Sequence, residues 1–69
     1  MNTGFVVYLT PEEKRDLGAL LRGIDVARDQ AERAVAENDP GEVIACAGSI
    51  AASALVLSAL AREIVREAA

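Results

Sequence analysis

The sequence predicts an all-α chain, an antiparallel two-helix hairpin with a short extended N-terminal arm that assembles with further copies into a homo-oligomeric helical bundle. Three observations predict it. Residues Val43 to Ala61 run without a single charged side chain. Two proline-reinforced helix caps, Thr10-Pro11-Glu12-Glu13 and Asp39-Pro40-Gly41-Glu42, divide the chain. Between them, apolar residues recur at helical spacing on one side only. A helix that is hydrophobic all round must be covered all round, and 69 residues leave only one other helix to cover it.

The first element is residues 1–9, an extended arm. Gly4 to Leu9 reads GFVVYL, β-branched and aromatic, strand-like but too short to stand alone. Helix 1 occupies residues 10–38. Thr10 serves as N-cap, Pro11 fits the first helical position and Glu13 closes a capping box. At 100° per residue Leu17, Leu20, Leu21, Ile24, Ala27, Ala31, Ala34 and Val35 share one face. The opposite face carries Arg15, Arg22, Asp29 and Arg33, with Val26 as its apolar exception. Helix 2 occupies residues 39–69, with Asp39 as cap and Glu42 expected to reach back. A turn as short as Asn38-Asp39 makes the helices antiparallel. Residues whose numbers sum to about 79 then lie opposite one another, which places Ile24 near Leu55. Glu13 and Asp16 are expected to face Arg62 and Arg66.

The composition narrows the function classes. The chain is a single small domain, below the size at which one core comfortably outweighs conformational entropy. There is no histidine, and the one cysteine, Cys46, lies inside the apolar run. An intrachain disulfide and a His/Cys zinc site are therefore excluded, and a reducing, cytoplasmic setting is expected. Oligomerisation is the staple that remains. The net charge of −4, with acids and bases interspersed, offers no field for duplex nucleic acid. No positively charged segment precedes an apolar core, so no secretory signal is expected. Small residues recur along helix 2 and favour close helix–helix approach. Gly48, Ile50, Ala52, Leu55, Val56, Leu57 and Ala59 are the expected oligomer interface. The flanks of the run are acidic or mixed, without a lysine cluster or an aromatic belt, which disfavours a membrane span.

Two positions are candidates for ligand chemistry. Arg28 projects between Leu21 and Val35 on helix 1. Either it lies at the stripe edge and pairs with Glu32 or Asp25, or it anchors an anion between protomers, with Ser49 and Ser53 as hydrogen-bond donors. Arg15-x-x-Gly18-x-x-x-Arg22 makes a flat basic patch that a phosphate can approach, with Lys14 nearby and Tyr8 able to stack on a base. The competing reading is a solvated face with local ion pairs, Arg15 with Glu12 and Asp29 with Arg33. Catalysis finds no support. The serines lack a base in any plausible motif, the Glu12-Glu13 pair is explained by capping and the helix dipole, and no phosphate loop or dinucleotide fingerprint occurs. Neither an enzyme nor a cofactor is expected.

The order Tyr8-Leu9-Thr10-Pro11-Glu12-Glu13, an amphipathic helix, the Asp39-Pro40-Gly41 turn and an alanine-rich second helix resembles the helical-hairpin sponge proteins of phages. The resemblance implies a viral anti-defence protein, a symmetric oligomer, often a hexamer. Such proteins sequester cyclic oligonucleotides or related nucleotide signals and so blunt bacterial CBASS or Thoeris defence. Tyr8 matches the aromatic residue ahead of the family's first helix, and Arg22 the basic residue along it. The chain departs from the pattern by lacking large aromatic or methionine residues in helix 2 and a polar start to that helix. Two other classes fit the residues. One is a protein-binding regulator, antitoxin- or inhibitor-like, offering its Arg15/Arg22/Val26 face. The other is a small single-span membrane protein.

Overall fold

The computed structural model describes residues 8–68 and consists, over that span, of two α-helices, α1 (Pro11–Ala36) and α2 (Pro40–Ala68), packed against each other. Most of the expected N-terminal arm lies outside the described residues. Tyr8 and Leu9, its last two positions, are exposed and have no regular structure.

Each helix starts where its cap dictates. The Thr10 side chain accepts from the Glu13 backbone N–H at 3.1 Å, and the Glu13 carboxylate accepts from the Thr10 N–H at 2.8 Å. This is the reciprocal capping box. At α2 only half of the expected pattern forms. The Asp39 carboxylate accepts from the Glu42 N–H at 3.1 Å, but the Asp39 N–H is already given to the Ala34 carbonyl. Glu42 therefore has no donor to reach back to, and it turns to Cys46 instead.

That competing bond belongs to the turn. Asn38 adopts φ 57°, a left-handed conformation open to few residues other than Gly and Asn. Its N–H reaches the Val35 carbonyl at 3.1 Å, while the Asp39 N–H reaches Ala34 at 2.9 Å. The pair of bonds is a Schellman closure, and it satisfies carbonyls that the end of α1 would otherwise leave bare. Two residues beyond it Pro40 opens α2, so the reversal is tight and the helices run antiparallel.

The packed positions form two matching series. On α1 the series is Leu17, Leu20, Ile24, Ala27, Ala31 and Ala34, all buried or half-buried, and Glu13 and Gly18 are half-buried as well. On α2 the series is Val43, Cys46, Ile50, Ser53, Leu57, Leu60 and Ile64, with Ser58 half-buried outside it. Both series advance by alternating steps of three and four, the seven-residue repeat of a coiled-coil seam. The seam is narrower than the face read at 100° per residue. Leu21 and Val35, expected inside it, are 52% and 64% exposed. Leu55, expected against Ile24, is 72% exposed on the far side of α2. A strict seven-residue seam admits two positions per repeat, whereas a 3.6-residue stripe admits a third.

The seam also tapers. Alanines fill α1 near the turn, and leucine and isoleucine fill both helices at the open end. The resulting core is thin. Among the described residues only Ala27, Ala34, Cys46 and Ile64 are buried, and no large side chain is buried completely. Ile50 and Leu57, expected to join copies together, belong to this intrachain seam.

Candidate functional site

The seam divides the hairpin into two unlike flanks. On one side Val35 and Val43 line a shallow depression with Pro40 and Asn38. Continuing from there at seven-residue intervals, α1 contributes Val35, Arg28, Leu21 and Lys14, and α2 contributes Ala47, Ala54, Ala61 and Ala68. On the other side Gln30, Arg33, Glu37, Asp39 and Glu42 line an open groove of about 410 Å³. At the same spacing that flank carries Asp16, Gly23, Gln30 and Glu37 from α1, with Glu42, Ser49, Val56 and Glu63 from α2. One flank is apolar with two cations; the other holds five acids, Asp16, Glu37, Asp39, Glu42 and Glu63, beside Arg33.

Next to the alanine positions on α2 stand Ile44, Ala51, Ser58 and Val65. Taken together the eight residues make a second series, Ile44, Ala47, Ala51, Ala54, Ser58, Ala61, Val65 and Ala68, again in alternating steps of three and four. It contains no charge and runs almost the full length of α2. Ile44 is 73% exposed, and all the others except the half-buried Ser58 are exposed as well. None of these eight residues is among the positions that the sequence places at an oligomer interface. The signal of this second seam was present in the spacing, but a helix apolar on every side shows no moment to draw attention to it.

Arg28 lies on the apolar flank and is held by its own helix. Its Nη1 is 3.2 Å from the Asp29 carboxylate and 3.7 Å from that of Glu32. The Asp29 hydrogen bond, followed by the Glu32 charge, makes the guanidinium still harder to deprotonate. Asp29 thus pairs with Arg28 and not with Arg33. Ser49 lies on the acidic flank and Ser53 in the seam, half-buried. A single hairpin therefore does not bring Arg28 and Ser49 to one place, and a pocket containing both needs a second copy.

Arg15 and Arg22 project from the side of α1 facing away from α2. Gly18 makes room for Arg22, since a Cβ at Gly18 would lie 3.3 Å from the Arg22 Nη1. Among the described residues neither arginine has an ion-pair partner; the pairs present are Arg28–Asp29, Arg28–Glu32 and Arg66–Glu63. Arg66 bonds within its own helix instead of crossing to Glu13 or Asp16. Val26 is 57% exposed on this outer side, and Tyr8 stands exposed ahead of the Thr10 cap.

Cys46 is buried beside the acidic groove, and its Sγ donates to the Glu42 Oε2 at 3.6 Å. Burial first, then the Glu42 charge and hydrogen bond, push the thiol pKa up, while Arg33 opposes them. A protonated, enclosed thiol is a poor nucleophile. Among the described residues no cluster of three or more Cys, Asp and Glu is placed to hold a metal ion. No family model, curated protein or solved structure matches this chain.

Proposed function

We propose that this chain is the protomer of a soluble homo-oligomeric helical protein that binds a ligand without transforming it. The observation that carries the reading is the exposed, charge-free second series on α2, set beside a helix that is charged at nearly every turn. The apolar window of α2 has a mean hydropathy of 2.2 and is long enough to cross a membrane, yet only 6% of it is buried in the hairpin. Something must cover it. Lipid is disfavoured because α1 runs antiparallel along α2, with Arg15, Arg22, Asp25, Asp29 and Arg33 on its outer surface. Charged side chains at bilayer depth cost several kcal/mol. For α2 to enter lipid alone, the matched seam between the helices would have to come apart. Further copies cover the face and leave that seam intact.

The ligand class rests on the resemblance to phage sponge proteins and on the free cations. Arg15 and Arg22 are exposed without ion-pair partners among the described residues, and Arg28 borders the face that a second copy would cover. A nucleotide-type anion at protomer boundaries fits such a distribution. The exposed Val26 amid this outer surface favours a second reading, a protein partner that docks on the Arg15/Arg22/Val26 side.

Native mass spectrometry and light scattering in detergent-free buffer test the assembly. A single oligomer is expected; a monomer at micromolar concentration, or a need for detergent, overturns it. Cyclic di- and trinucleotides should raise the melting temperature, with the shift lost in Arg22→Glu or Arg28→Glu. An oligomer indifferent to every nucleotide would favour the protein-partner reading.

A further inference from the structure

We infer that the copies pair through the second series of α2 in antiparallel register, about a twofold axis that passes between Ala54 and Ser58. The inference rests on the oligomeric reading above and adds which face is used, in which direction and in which register. The partner is a second copy of this chain.

The first support is shape. Reversing the helix direction maps the series onto itself, with numbers summing to about 112 in the layered geometry of antiparallel coiled coils. Ile44 then meets the partner's Ala68, Ala47 meets the partner's Val65, Ala51 meets the partner's Ala61, and Ala54 meets the partner's Ser58. Every layer sets an alanine against its opposite, and each bulky residue faces a small one. The inter-helix distance is then even along the whole contact. Parallel pairing would place Ile44 on the partner's Ile44 and Val65 on the partner's Val65. Those end layers would hold the backbones apart and leave a void along the alanines between them, and packed interiors do not tolerate such voids.

Charge points the same way. The start of α2 carries Asp39 and Glu42 with no base, whereas its last turns mix Arg62 and Arg66 with Glu63 and Glu67. Parallel pairing brings the two acidic starts side by side. Antiparallel pairing sets each acidic start beside the mixed end of the partner and opposes the two helix dipoles. Among the described residues Arg62 has no ion-pair partner on its own chain.

The third support is exposure. Seven of the eight residues of the series are exposed, Ile44 at 73% and Val65 at 48%, and the hairpin buries only 6% of the apolar window of α2. Leu21 and Val35 border the same flank and would be covered with it.

The test uses Ala47→Cys and Val65→Cys in the full chain with Cys46→Ala. The two sites lie about 27 Å apart along one helix, too far for an intrachain disulfide. Under mild oxidation the variant carrying both cysteines should become mostly covalent dimer, while either single variant should not cross-link. Cross-linking by the single variants would overturn the antiparallel register in favour of a parallel one. An oligomer by native mass spectrometry in which no combination cross-links would place the contact on another face. A monomer would defeat the oligomeric reading itself, so the two failures are distinct. Both positions are exposed in the hairpin, and circular dichroism should show unchanged helicity.

Discussion

The Cys46 thiol is bonded to the Glu42 carboxylate one turn earlier on α2, where that helix first packs against the alanine end of α1. The bond joins the buried seam to the acidic groove. It also accounts for the fate of Glu42, whose expected capping partner is already taken by the turn.

This pair predicts a pH dependence. The folded-state pKa of Cys46 is raised, by burial first and then by Glu42. The protonated thiol is therefore compatible with the fold, and its contribution is fully present below the range of a free thiol. It is lost as pH rises through and beyond that range. The urea midpoint should fall between pH 8 and pH 10.5 more steeply in the native chain than in Cys46→Ala. Equal slopes would show that the thiol ionises freely in the folded protein.

The turn predicts a sharp residue preference. Asn38 at φ 57° should accept Gly with little change, whereas Asn38→Val should cost about 1–3 kcal/mol from a β-branched residue in left-handed backbone. Chemical denaturation of both variants measures the difference.

The two caps should behave alike despite their different completeness. Thr10→Ala and Asp39→Ala each remove an acceptor for a first-turn N–H and should cost about 1 kcal/mol. A negligible loss for Thr10→Ala would mean that the first turn of α1 frays in solution.

The seam and the outward surface should respond oppositely to added bulk. Ala34 is buried beside the turn, so Ala34→Leu should destabilise by about 1–3 kcal/mol through overpacking. Gly23 has nothing within 4 Å of an added Cβ, and Gly23→Ala should stabilise α1 by roughly 0.5–1 kcal/mol. Thermal melts at fixed protein concentration distinguish the two.

Gly48 is equally open within the hairpin, so Gly48→Leu should leave the helical content of a protomer intact. Leu55 and Gly48 flank the proposed contact between copies. A smaller mass by light scattering in Gly48→Leu, with helicity retained, is the expected outcome. Full-size oligomers would mean that this part of α2 stays open to solvent.

Much of the fold was legible in the chain itself, because capping and turn chemistry are local. Thr10, Pro11 and Glu13 start a helix wherever they stand together, and Asn38 ahead of Asp39 and Pro40 stops one and begins the next. The charge-free stretch of α2 likewise announced that one copy cannot cover it. What only the tertiary structure decided was which positions meet. The choice between a 3.6-residue stripe and a seven-residue seam left Leu21, Val35 and Leu55 exposed and set Ile50 and Leu57, half-buried, in the seam. On a helix apolar all round, no local preference separates the inside from the outside. That distinction arises when the second helix takes one face and leaves the rest exposed.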